Sequence, residues 1–564
     1  MTSGHLPDRT VDAIAERYVE QAAALHPVQA TYYGVAGHDD RLPDLSPDGY
    51  DARDGLTRKT LADLRDAPPV DERERVAREA MIERLALQVE MADAGIPRSQ
   101  ISVTSSAVTS LRGAFDLMPT EGEEAIANID ARLAAVPEAL AGFRATLLES
   151  ADRGRVSAKR QYSEIALQLR RWTGQDGTTG DVFAKLVDSL DADGAMAESL
   201  ARHAAEASAA MADFGRFVGE ELGPRGRDRE AVGRDEYALC NRSFLGATVD
   251  LDETYHWGWA ELKRLHDEMV ATSDRIVPGG SVDEAIAALN ADPTRMVEGR
   301  ERFRDWMQEL SDRTVAEMAD VHFDIPEPIR SLECRLAPTN DGGIYYTPPS
   351  EDFSRPGRMW WSVPDGIDTF STWQETTTVF HEGVPGHHLQ CAQTLYRDDI
   401  LNRWQRAMCW VSGHGEGWAL YSERLMDDLG YLADPGDKLG MLDMQAFRAA
   451  RVIVDIGMHL ELEIPRDNPF GFHPGEIWTP QLGLDFMRER SSMDDEFIKY
   501  EVLRYLGWPG QAPSYKVGER IWLECRDEVK ARRGAAFDLK QFHTEALNLG
   551  SLGLDPFRAA MARL

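Results

Sequence analysis

The sequence predicts a mainly helical fold carrying one small β-sheet, and three observations predict it. Apolar residues recur at intervals of three and four over long segments, the period of a helix with one buried face. Alanine-rich runs such as Ala195 to Ala212 carry no recognisable chemistry and suit packing helices. Strand-like stretches are confined to a short region between Pro328 and Val363.

In chain order, an amphipathic helix is expected from about Val11 to Leu25, followed by a polar, proline-punctuated surface loop from His38 to Asp54. Helical patterns then cover Asp71 to Asp93, Glu121 to Ser150, Ser157 to Thr173, Val182 to Leu222 and Asp252 to Ile276. Gly174 to Gly180 is the clearest internal linker, and no repeat of fixed period is visible. Near Pro326 the character changes. Pro328 to Leu336, Gly342 to Thr347 and Met359 to Val363 read as three strands, the second following a turn at Asn340-Asp341-Gly342-Gly343. Such a sheet either holds an extended peptide along its edge or simply closes the domain. A helix from Ser371 runs into His381, another begins near Gly415, and Ile464 to Pro480 reads as a loop insertion. The chain closes in helices at Gly518 to Arg533 and Leu539 to Leu547.

Composition narrows the function. Of 564 residues, 43% are hydrophobic and 28% charged, an ordinary globular balance. The formal charge of −34 repels phosphate backbones and anionic lipid, so neither nucleic acid nor membrane is an expected partner. No stretch approaches the ~20 apolar residues of a membrane helix, and the residues after Met1 lack a basic region followed by an apolar run; the expectation is a cytoplasmic protein. The five cysteines are scattered, with no Cys-x-x-Cys pair, which disfavours a disulfide framework or a cysteine metal site.

The chemistry concentrates at Phe380-His381-Glu382-Gly383-Val384-Pro385-Gly386-His387-His388-Leu389-Gln390. Four of the 14 histidines, His381, His387, His388 and His414, fall within 34 residues beside Glu382 and Glu416. In helical zinc hydrolases two imidazoles hold the metal and a glutamate next to the first accepts a proton from water. The usual spacing puts the histidines four apart on one helix face. Here the fourth position is Pro385, and an unbroken helix would set His387 roughly 240° round from His381. Proline removes a helical hydrogen bond and glycine accepts unusual dihedrals, so a kink across Gly383 to Gly386 is predicted to turn His387 back. His388 remains a rival to His387 as second ligand. Glu423 lies two turns after Glu416 on the same face, suited to steadying a histidine ring. Arg451, Asp455 and His459 are four apart in succession and share a face.

The pattern His-Glu-x-x-Pro-Gly-His-His-x-Gln, followed by Glu416-Gly417-Trp418-Ala419-Leu420-Tyr421-Ser422-Glu423, resembles the domain of unknown function 885 family, zinc-hydrolase-like relatives of the gluzincin peptidases. The resemblance extends to Arg451 to His459, Pro509-Gly510-Gln511-Ala512-Pro513-Ser514-Tyr515-Lys516 and Tyr345 to Gly357. It implies a large gluzincin-like domain, with region 1–325 walling a cleft and region 326–564 carrying the catalytic centre, together one continuous unit. It further implies one Zn2+ ion held by His381, His387 and Glu416, with Glu382 as general base. Tyr515 and His459 would stabilise the oxyanion. Arg451, Asp455, Lys516, Gln511, Tyr345, Tyr346 and Arg355 would border the cleft with His388 and Glu423, and Lys516 or Arg451 would anchor a substrate carboxylate.

The expected activity is hydrolysis of amide bonds in short peptides. Two other readings stand beside it, a zinc amidohydrolase of a peptide-like metabolite and a non-catalytic helical binding protein with a structural metal. A free carboxylate beside the first ligand has no use in the last.

Overall fold

The computed structural model of the chain describes residues 10–177, 180–337, 343–364 and 366–564. The residues following Met1, part of the Gly174 to Gly180 linker and most of the turn at Asn340-Asp341-Gly342-Gly343 lie outside the described residues. The fold is mainly helical, with two small sheets among the described residues.

The helices form where their capping chemistry permits. Pro47–Asp66 is a helix within what the sequence suggests is loop; Pro47 occupies its first turn and the Ser46 side chain accepts from Gly49 N–H. The segment expected as one helix from Val182 to Leu222 is two, Val182–Asp188 and Gly194–Arg216, the second running into a π-helical turn at Phe217–Leu222.

Strands β1 (Met296–Glu298) and β5 (Thr369–Ser371) pair antiparallel in a small ribbon that the sequence does not announce. The larger sheet holds β2 (Leu332–Leu336), β3 (Ile344–Thr347) and β4 (Gly357–Trp361) in the order β2-β4-β3. β2 runs parallel to β4 with Cys334 opposite Met359, and β3 runs antiparallel to β4 with Tyr346 opposite Met359. A 3-10 turn at Glu327–Ile329 replaces the expected first residues of β2.

The hydrophobic core has two parts. One draws on residues from Val11 to Met561, on both sides of residue 325; the other gathers the helices between Leu45 and Leu222. At the centre of the larger part runs the helix Pro435–Leu460, capped by the Asp434 side chain and buried on nearly every side. The helix Leu251–Ile276 packs along it, and at Gly258 an added Cβ would stand 3.1 Å from the Ile453 side chain. All five cysteines are free thiols.

Candidate metal centre

The helix Thr372–Glu382 stops at Gly383 and a new helix, His387–Tyr396, begins four residues later, after a cis Val384–Pro385 peptide. This is the break that Pro385 and Gly386 predict. It brings the His381 and His387 rings edge to face, with centroids 4.8 Å apart and planes at 89°. Gly386 is required there: a Cβ would lie 1.9 Å from the His381 carbonyl oxygen. The carbonyls exposed by the break find a donor in Trp418, whose indole N–H donates to Pro385 O at 2.9 Å and Gly386 O at 3.2 Å. Fully buried, Trp418 is the clamp on the turn between the two histidine helices.

Glu416 arrives from a separate helix, Ser412–Asp428, whose start lies earlier than the expected Gly415, so Glu416 sits in the second turn. Its position is set by a seam with the helix Ser514–Arg533. A Cβ on Gly518 would be 2.2 Å from Gly413 O, and one on Gly417 would be 2.5 Å from the Gly518 backbone. Backbone therefore meets backbone there, and Glu416 extends towards both histidines. Its Oε2 lies 3.4 Å from His381 Nε2 and 3.3 Å from His387 Nε2.

Those separations test the fit of a metal. A tetrahedron with metal–ligand distances of about 2.0–2.1 Å has edges of about 3.3–3.4 Å, whereas a charge-assisted hydrogen bond is shorter, about 2.7–2.9 Å. One carboxylate oxygen at nearly equal distance from two imidazole nitrogens matches the first. Glu382 also comes within 4.8 Å of both rings, forming with them the only such cluster of three among the described residues. Glu416 remains the better third ligand, because a single oxygen of it serves both rings at the tetrahedral spacing. His381 is oriented as a ligand would be: its Nδ1–H donates to Glu423 Oε1 at 2.7 Å, and Thr377 donates to Glu423 Oε2 at 2.8 Å. That leaves Nε2 facing Glu416 and His387.

The histidines and carboxylates of the cluster shift one another. Burial opposes charge on His381, yet Glu416 and Glu423 overcome it and raise its pKa to about 9. Burial likewise opposes the charge on Glu416, but His387 and His381 hold it well below the usual carboxylate range. Glu382 behaves in the opposite way. Burial dominates over His387 and His381 and pushes its pKa up, and its Oε2 is buried with no hydrogen-bond partner. A carboxylate kept hungry for a proton beside two imidazoles is suited to take one from water.

These groups open onto a cleft of about 2310 Å3, well above the ~300–1,000 Å3 of a small-molecule pocket. His381, Glu382, His387 and Glu416 line it, with Tyr515, Arg451, Gln511, Tyr345, Tyr346 and Arg355. The edge strand β3 contributes to the lining, as do Tyr32, Arg84, Trp172 and Phe244 from the N-terminal part of the chain. The Tyr515 pKa is raised by burial and by Glu416. Arg448 also lines the cleft, although the sequence does not single it out.

Five expected site residues, Glu423, His388, Lys516, His459 and Asp455, do not line it. Glu423 stands behind His381, as above. His388 is fully buried; Nε2–H donates to Ile329 O at 2.7 Å and Nδ1 accepts from the Tyr346 hydroxyl at 2.9 Å. Both its nitrogens are engaged and burial lowers its pKa to about 4, so of the two adjacent histidines only His387 could serve as a ligand. Lys516, 2% exposed, is held by Glu519, by Gln445 at 2.5 Å and by Glu261 at 3.0 Å, and no charge remains for a substrate. His459 donates from Nε2 to Tyr505 O at 3.0 Å and stacks near Tyr237, too deep to reach an oxyanion. His414, the fourth histidine of the cluster, is buried and accepts from Gln390 at 3.2 Å.

Asp455 is also fully buried, accepting from Tyr237 at 2.7 Å and Gly510 N–H at 2.9 Å through Oδ2 while Oδ1 has no partner. Burial raises its pKa to about 7, against the hydrogen bonds from Tyr237 and Gly510. The folded state therefore binds this proton more tightly than the unfolded one. Its contribution to stability is full below about pH 4 and is lost as pH rises through about 7. In urea titrations, stability is expected to fall between pH 5.5 and 8 by ~2 kcal/mol more than in Asp455→Asn. Parallel curves for the two proteins would mean that Asp455 is ionised in the fold.

Fold and site together define a helical protein with a buried His-Glu cluster that lines a large cleft. The chain belongs to the family described as bacterial protein of unknown function (DUF885), whose model matches residues 27–561. Two solved structures share the fold. One, described as a "putative lipoprotein" from Colwellia psychrerythraea, is 21% identical, covers 98% of both chains and has a TM-score of 0.84. The other, a "putative lipoprotein" of unknown function from Shewanella oneidensis, is 17% identical, covers 98% of this chain and 99% of that one, and has a TM-score of 0.73. No curated protein matches. Among the described residues no helix is long and apolar enough to cross a membrane.

Proposed function

We propose that the protein is a zinc-dependent hydrolase of amide bonds in short peptides. One observation carries the reading. Glu416 Oε2 lies at tetrahedral-edge distance from both His381 Nε2 and His387 Nε2, while the neighbouring Glu382 carboxylate is buried, unpartnered and open to the cleft. His381, His387 and Glu416 would hold the ion, and when bound it would lower the proton affinity of water and polarise a carbonyl. Glu382 takes the proton of the attacking water and returns it to the leaving nitrogen. The Tyr515 hydroxyl, on the cleft wall near Glu416, donates to the oxygen of the tetrahedral intermediate. The depth of the cleft favours peptides over folded proteins, and the −34 charge disfavours polyanionic partners.

Metal analysis of the purified chain, with a screen of di- and tripeptides, tests this. One zinc per chain with prompt turnover supports it. Bound zinc with no peptide turnover would direct attention to a non-peptide amide. Glu423→Gln is expected to keep the fold and weaken zinc binding ~10- to 100-fold, since it loosens the His381 ring without removing a ligand. Competition against a chelator of known affinity measures that change.

A further inference from the structure

One buried guanidinium in the cleft has no carboxylate within ion-pair distance among the described residues, and Glu423 acts on it only through space. Arg448 is 8% exposed and lines the cleft, yet its hydrogen bond is from Nη1 to Met444 O at 3.2 Å, a carbonyl on its own helix. Nε is buried with no partner, and no carboxylate among the described residues pairs with the side chain. Burying an unpaired charge is costly unless something occupies the opposing position, so Arg448 is a cation awaiting an anion.

Its neighbours are paired. Arg451 and Arg504 line the same wall and share one acid: Glu501 accepts from Arg451 at 2.6 Å and from Arg504 at 2.9 Å. Arg451 also donates to the Tyr505 hydroxyl at 3.0 Å, and Arg504 donates to Gln511. Arg451 and Arg504 are thus paired with Glu501, whereas Arg448 beside them has no ion pair, in a chain whose net charge is −34. Both Arg448 and Arg451 stand over the Tyr515 ring, at 5.8 and 5.0 Å from its centroid. The wall therefore adjoins the residue expected to meet the tetrahedral intermediate. Asp443, one turn before Arg448, also lines the cleft, but its Oδ2 is taken by the Ser492 hydroxyl.

We infer that Arg448 grips the free C-terminal carboxylate of the substrate, making the protein a hydrolase that reads short peptides from their carboxyl end. This role moves to Arg448 from Arg451 and Lys516, whose charges are already met. It rests on the peptide-hydrolase reading above and adds which end of the peptide is held. Guanidinium is suited to it, because its planar fork matches the two oxygens of a carboxylate.

The test compares trialanine with trialaninamide, which differ only in the terminal group. Calorimetric binding is measured on the zinc-loaded full chain carrying Glu382→Gln, so that the peptide stays intact, and again with Arg448→Gln added. Trialanine is expected to bind at least ~30-fold more tightly than the amide, although the acidic chain as a whole attracts the more cationic amide. The difference is expected to vanish in the double variant. Equal binding of the two forms, or binding of neither, overturns the inference, and that comparison does not depend on whether the Arg448 variant folds. Selective binding of the acid with no turnover of any peptide by the unaltered protein would instead overturn the hydrolase reading and leave the carboxylate site standing.

Discussion

Glu382→Gln protein is expected to bind one zinc ion per chain and to lose peptide hydrolysis by about 10^3-fold in kcat, the middle of the range for removing a general base. The substitution keeps the shape of the side chain and removes only its capacity to take a proton. Because Glu382 Oε2 has no hydrogen-bond partner, the amide breaks no contact there, and the fold should be undisturbed. Metal content by mass spectrometry and single-turnover product analysis decide the matter together. Unchanged turnover with zinc still bound would remove Glu382 from the mechanism.

The second large effect separates two adjacent histidines. His387→Ala is expected to reduce zinc to well below one per chain, a loss exceeding that at Glu423, because it takes away a ligand rather than the support of one. His388→Ala is expected to retain the metal. Its cost is in stability, about 1–3 kcal/mol, since it leaves the buried Ile329 carbonyl and the Tyr346 hydroxyl without their partner. Zinc titration and urea unfolding of both variants read the two effects separately. The reverse result, metal lost with His388 and kept without His387, is incompatible with the ligand set.

The turn that creates the centre could be read from the chain because its causes are local. Proline and glycine four and five residues after His381 forbid a continuous helix, and only a reversal brings the next histidine near the first. The strands β3 and β4 were readable for the same reason, each carrying its own β-branched or aromatic residues, and β2 through its alternation of apolar and charged residues. β1 and β5 are three residues each, too short for alternation to register, and exist through pairing across 70-odd residues of chain. The helix Pro47–Asp66 hides behind proline and many charged residues.

Site residues that depend on distant partners were harder. Trp418 has the composition of core, and its role is fixed by carbonyls 32 and 33 positions away. The polar series Arg448, Arg451, Asp455 and His459 occupies one helix buried on nearly every side, so periodicity shows no outward face. The structure divides it: the two arginines reach the cleft, while the acid and the imidazole turn into the protein. Burial of a charged group cannot be deduced from its neighbours in sequence, and the missing ion-pair partner of Arg448 is invisible without the surrounding helices.

The glycine seam bears on how a hydrolase of the proposed kind would diversify. Glu416 and Tyr515 ride on two helices whose main chains touch, with no intervening side chains to absorb a shift. A new substrate preference cannot arise by sliding these two groups apart, because one methyl group at Gly518 would force the whole pair to separate. Variation in what the cleft accepts is left to lining residues on other elements, such as Tyr32, Arg84, Trp172 and Phe244. Innovation is thereby steered to the amino-terminal half of the chain, while the chemistry is inherited intact.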